Sequence, residues 1–172
     1  MRKILYHGSL EIISSPMYGQ GKVYNDYGQG FYCTESLELA KEWSCAERED
    51  GYVNQYEMDE TGLLILNLME KRYSVLHWLA ILMKYRKIRL SSAVMKRGRE
   101  WLLEHFLPDV DGYDVVIGYR ADDSYFSFAR AFVNNEISLA QLSYAMRLGK
   151  LGEQYVLKSQ KAFQAIHFLS YE

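Results

Sequence analysis

The chain is poor in the residues that interrupt a fold. Its 172 residues include only two prolines, Pro16 and Pro108, and no stretch rich in glycine and serine. No linker is therefore expected, and with no internal repeat the chain reads as one domain over residues 1–172. The two cysteines, Cys33 and Cys45, lack any metal or redox spacing and read as reduced thiols. His77, His105 and His167 share no spacing with thiol or acid ligands, so no metal site is expected. An excess of charge of one sign is missing too. At a net charge of −2 the whole molecule does not attract nucleic acid or anionic membrane. No apolar run is long enough to span a bilayer, and the one after Arg2 and Lys3 stops at His7, too short for a signal peptide. The expectation is a cytoplasmic protein with no membrane association, delivery into a target cell being left open.

What the chain does have is apolar content and tyrosine. At 49% hydrophobic it can fill a single core. Fifteen tyrosines suit strands and a cleft that stacks on a ring-shaped ligand. Alternating or short apolar runs predict strands at 4–9, 31–34, 52–58, 63–68, 113–119, 154–158 and 166–171. Helical spacing predicts helices at 37–49, 74–87, 92–107 and 124–133. A further helix is opened by the capping box of Ser138 and Gln141 and closed by Gly149. Residues 14–29 read as a long loop. Strands at both ends with helices between them argue for an α+β fold.

Two short motifs stand out. Tyr6-His7-Gly8-Ser9 ends the first strand, and Gly28-Gln29-Gly30-Phe31-Tyr32-Cys33-Thr34 delivers a tyrosine onto the second. Each has an ordinary reading. A lone histidine is commonly structural, a single G-x-G commonly makes a turn, and Trp43 on an amphipathic helix is commonly core.

Taken together and in this order, the motifs resemble the nicotinamide-binding core of ADP-ribosyltransferases. The closest class is that of diphtheria toxin and the poly(ADP-ribose) polymerases, whose signature is His, Tyr and Glu. The resemblance implies a split antiparallel β-sheet core with helices inserted between strands, and NAD as cosubstrate. His7 would bond a ribose hydroxyl on the adenosine side, the Gly8 backbone would hold the carboxamide, and Ser9 would add a polar contact. Gly30 and Phe31 belong to the tyrosine motif, and Tyr32 would stack on the nicotinamide ring. Trp43, eleven residues after Tyr32, stands at the family's second aromatic position. Ala40 stands where the family has a serine, which removes one hydrogen bond.

The family's last motif, E-Y-[IV]-V, is matched by Gln154-Tyr155-Val156-Leu157. Gln154, not Glu153, is assigned to the cleft, because Tyr155 and Leu157 mark the core face. A neutral acceptor in place of a charged one loses about 1.4 kcal/mol, or about tenfold in rate. Members without the glutamate are generally mono-transferases, so the resemblance implies transfer of single units to a macromolecular acceptor, protein or nucleic acid.

Nearly the whole chain is similar to a bacterial family, domain of unknown function 3990. That similarity runs through Tyr113-Asp114-Val115-Val116-Ile117-Gly118-Tyr119-Arg120-Ala121-Asp122-Asp123 and Gln154-Tyr155-Val156. It implies a toxin of a toxin–antitoxin or effector system. The tRNA 2′-phosphotransferases share the fold class but need several arginines, and only Arg2, Arg48 and Arg120 lie near the motifs. Asp122 and Asp123 are read as an acid pair, a metal contact or a helix cap. Lys84, Arg86, Lys87, Arg89, Lys96, Arg97 and Arg99 form a basic stretch within 84–99. It is either a solvated face or a dock for an antitoxin or another acidic partner. Two rival readings remain: a non-catalytic NAD or ADP-ribose-binding module acting through a partner, and a plain interaction protein.

Overall fold

The computed structural model describes residues 1–45, 49–121, 123–148 and 152–172. In chain order the elements are β1 (Arg2–Ser9), β2 (Phe31–Cys33), α1 (Leu37–Ser44), β3 (Tyr52–Asp59), β4 (Ile65–Asn67), α2 (Val75–Tyr85) and α3 (Ala93–Phe106). They continue with β5 (Val115–Tyr119), α4 (Asp123–Val133), α5 (Leu139–Leu148), β6 (Glu153–Leu157), α6 (Gln160–Gln164) and β7 (Ile166–Tyr171). The strands form two sheets, ordered β1-β3-β7 and β2-β6-β5-β4. Every pairing is antiparallel except β4 with β5. The expected α+β class holds, and among the described residues no helix is long and apolar enough to cross a membrane.

The alternation of side chains explains the layering. On β5, Val115 and Ile117 point between the two sheets, where Leu5, Tyr56, Met58, Tyr155 and Leu157 meet them. Val116 of β5 and Val156 of β6 point the other way, onto the nearly all-apolar α2 around Trp78, Leu79 and Leu82. The four-stranded sheet is thus covered on both faces. This corrects the expectation that Tyr155 and Leu157 mark the one core face of β6. Val156 lies in the larger core, and Gln154 shares its face.

Local signals fix most element boundaries. Ser138 and Gln141 form the expected capping box, with bonds of 2.8 and 3.2 Å. At α2 the same device uses a histidine: the Ser74 N–H donates to His77 Nδ1 at 3.0 Å. Helix α1 stops at Ser44 rather than running to 49, because Cys45 turns to an extended backbone at φ −87° and ψ 106°. Residues 46–48 of the predicted helix, with Arg48, lie outside the described residues, as do Asp122 and Gly149.

Candidate functional site

The end of β1, the start of β2, α1, the loop before β2, the end of α2 and the β5–α4 junction converge on one pocket of about 650 Å³. His7, Gly8, Gly30, Phe31, Tyr32, Trp43 and Gln154 all line it. The volume falls within the range of small-ligand sites, about 300–1,000 Å³. Seven of the eight predicted site residues are therefore neighbours in space, although they span most of the chain. Ser9 is not among the lining residues. Its hydroxyl donates to the Glu11 carbonyl at 2.5 Å and accepts from Asn54 Nδ2 at 3.2 Å.

His7 is held by one nitrogen. Its Nδ1 lies 2.6 Å from the Tyr32 carbonyl, which can only accept, so Nδ1 carries the proton and Nε2 is left as the acceptor. The ring lies against Phe31 in a tilted contact, with centroids 4.5 Å apart and 33° between the planes. Burial pushes the imidazole below its ordinary pKa, only partly offset by the bond to Tyr32, so the neutral ring is favoured.

Gly8 is small for a reason the sequence did not suggest. A Cβ there would stand 2.0 Å from the Ala40 carbonyl oxygen and 2.7 Å from the Ser44 nitrogen. The glycine admits the backbone of α1, and that close approach brings Trp43 to the pocket wall. Arg120 stands over the Trp43 ring at 5.8 Å and pairs with Glu42 at 3.3 Å.

Tyr32 has a second task besides lining the pocket. Its hydroxyl donates to the Gly28 carbonyl at 2.6 Å and accepts the Tyr27 N–H at 3.1 Å. Its pKa is pushed far up, mainly by burial. Tyr27 continues the clamp. The ring is fully buried, its hydroxyl donates to the Tyr119 carbonyl at 2.7 Å, and its own carbonyl accepts Lys158 Nζ at 2.7 Å. The glycine-rich loop is thereby tied down at its C-terminal end.

That anchoring positions a carboxylate that sequence reasoning missed. Asp26, 6% exposed, lines the pocket beside Gln154, 4% exposed. Gln154 Nε2 donates to Asp26 Oδ2 at 3.0 Å, and the Ala121 N–H donates to the same oxygen at 2.9 Å. Arg86 Nη1 lies 3.3 Å from Oδ1 without the alignment of a hydrogen bond. Oδ1 is the one buried side-chain polar atom among the described residues with no hydrogen-bond partner. Burial raises the pKa of this carboxyl, against the lowering effect of the Ala121 and Gln154 bonds and of Arg86 and Arg120.

In the basic stretch Lys84, Lys87, Arg89, Lys96 and Arg97 are exposed, whereas Arg86 and Arg99 are partly buried. Lys84 pairs with Asp111 at 3.3 Å, Lys87 sits 3.7 Å from the centre of the Tyr24 ring, and Arg99 Nε donates to the Met83 carbonyl at 2.9 Å. Arg86, the C-cap of α2, turns into the pocket. With Arg120 it gives the pocket two guanidinium groups suited to phosphate oxygens. Arg2 is elsewhere, paired with Glu57 at 3.3 Å. Among the described residues no group of three or more His, Cys, Asp or Glu side chains could hold a metal ion.

The one sequence hint of Asp26 is its place just before Gly28 and Gly30, in a loop without an alternation pattern. No curated protein and no solved structure matches the chain. A family model described as "Protein of unknown function (DUF3990)" matches residues 3–168, nearly the whole length. The chain belongs to that family.

Proposed function

We propose that this protein is an NAD-dependent mono-ADP-ribosyltransferase with an ADP-ribosyltransferase-like split-sheet fold, acting on a macromolecular acceptor. The observation that carries this reading is the convergence of His7, Tyr32, Trp43 and Gln154, from four separate elements, on one pocket that also holds two arginines. The residues present suit such a ligand. The Tyr32 and Trp43 rings offer stacking surfaces, His7 Nε2 an acceptor for a ribose hydroxyl, and Arg86 and Arg120 cations for a diphosphate.

The chemistry asked of the site is cleavage of a glycosidic bond through a transition state resembling an oxocarbenium ion. Such a state is stabilised by orienting the ribose and by fixed negative charge or acceptors near C1′. A toxin role in a toxin–antitoxin or effector system is part of the proposal and rests on the family resemblance.

The test is incubation of purified protein with labelled NAD and host lysate, following nicotinamide release and label transfer. Transfer that disappears in His7→Ala is the expected result. No transfer, no release and no NAD binding by calorimetry would reject the reading. Expression should also arrest growth, and His7→Ala should relieve the arrest. The alternative, a non-catalytic NAD or ADP-ribose module, draws on the neutrality of Gln154 and the engagement of its amide with Asp26. It predicts binding without release.

A further inference from the structure

The Asp26 oxygen that has an ion-pair contact but no hydrogen bond points to a division of labour in the pocket. A carboxylate 6% exposed is held through one oxygen by two aligned donors, while the other has no hydrogen bond. Two donors on Oδ2 fix the plane of the group and leave Oδ1 as its spare acceptor. Gln154 is oriented in turn: its Nε2 lies 3.0 Å from Asp26 and 3.4 Å from the Tyr119 carbonyl. An amide committed as a donor to a carboxylate acts on that carboxylate first.

We propose that Asp26 is the acidic group of this site, accepting a ribose hydroxyl of the dinucleotide through Oδ1 and facing the charge that develops at C1′, with Gln154 as its positioning residue. This rests on the NAD reading above and deepens it. The bond between C1′ and the nicotinamide nitrogen breaks with both electrons leaving on the nicotinamide, which becomes neutral. A lone pair of the acceptor forms the new bond at C1′, and the acceptor's proton passes to solvent. Asp26 exchanges no bond; it contributes fixed negative charge and orientation.

Arg86 completes the arrangement. It covers Oδ1 with a misaligned contact of 3.3 Å, backed by the Phe126 ring at 5.2 Å. A diphosphate offers its guanidinium two aligned, charged acceptors, a stronger partner than the one it has. Drawing Arg86 onto the phosphates uncovers Oδ1, so the ligand's own anion opens the acceptor its ribose needs.

The inference is tested in the full-length protein by nicotinamide release, NAD calorimetry and thermal melts for Asp26→Asn and Gln154→Glu. Asp26→Asn should fold, bind NAD about tenfold more weakly for the lost hydroxyl acceptor, and release nicotinamide at saturating NAD about a hundredfold more slowly. Gln154→Glu replaces an N–H donor with a second carboxylate against Oδ2, and should lower kcat about tenfold with little change in KM. If the residue at 154 itself supplied the negative charge, the same variant would be faster than wild type.

Release by Asp26→Asn within about twofold of wild type, or a faster Gln154→Glu, overturns the inference and leaves the transferase reading standing. A wild-type protein that neither binds nor cleaves NAD overturns both. Should Asp26→Asn fail to fold, the direction of the Gln154→Glu change decides alone.

Discussion

His7 enters the pocket with one nitrogen already committed, so its protonation state decides what it can do. Its depressed pKa means the folded protein favours the neutral ring. Its contribution to stability is therefore present above the ordinary value of 6.5 and is lost as pH falls through the lower folded value. NAD affinity, followed by calorimetry, should be flat above neutrality and weaken on acidification, when Nε2 changes from acceptor to donor. Asp26 runs the other way. Its raised pKa means the folded state binds the proton more tightly, so its contribution is most favourable below 3.8 and declines as pH rises. Urea melts should find Asp26→Asn at least as stable as wild type at neutral pH, the difference shrinking in acid. Tyr32→Phe keeps the ring but leaves the Gly28 carbonyl and Tyr27 N–H without their partner, costing about 1–3 kcal/mol. Denaturant melts would measure that loss, and NAD binding should suffer less than in Tyr32→Ala.

Among the elements, β1 and α1 depend on each other through a contact with no room for a methyl group. Gly8→Ala would drive a Cβ into the Ala40 carbonyl and the Ser44 amide, both backbone atoms that cannot rotate away. The expected result is a loss of about 3 kcal/mol in urea unfolding and a displaced Trp43, visible as a shift in tryptophan fluorescence. Most elements were legible because their patterns are local. Alternation found β3, helical apolar spacing found α2 and α3, and the capping box found the start of α5. Helix α1 was read too long because the apolar spacing outlasts the backbone turn at Cys45. The face of Gln154 was found by alternation, but β6 is buried on both sides, which an alternating pattern cannot announce.

For the molecule as a whole, the site is joined across long stretches of chain. Asp26 meets Gln154 over 128 residues, and Tyr27 meets Lys158 over 131 and Tyr119 over 92. Such pairings leave no mark in a local window. The glycine motifs could be read from sequence, whereas Asp26 and the inward turn of Arg86 could not. Gly118 shows the same dependence, since a Cβ there would lie 2.2 Å from the Tyr27 hydroxyl. Gly118→Ala should expel the Tyr27 ring and release Asp26 with it, giving a protein that melts earlier and binds NAD weakly although no pocket residue has changed.

The Tyr27 clamp also has a consequence for how the protein comes into being. Its partners lie on β5 and just beyond β6, so they leave the ribosome long after the loop they must hold. Contacts of such separation form late and fold slowly. A ribosome-bound nascent chain ending before residue 154 carries His7, Tyr32 and Trp43 but lacks Gln154 and Lys158, two of the groups that hold Asp26 and its loop. It should be inert toward NAD until β6 and Lys158 have emerged.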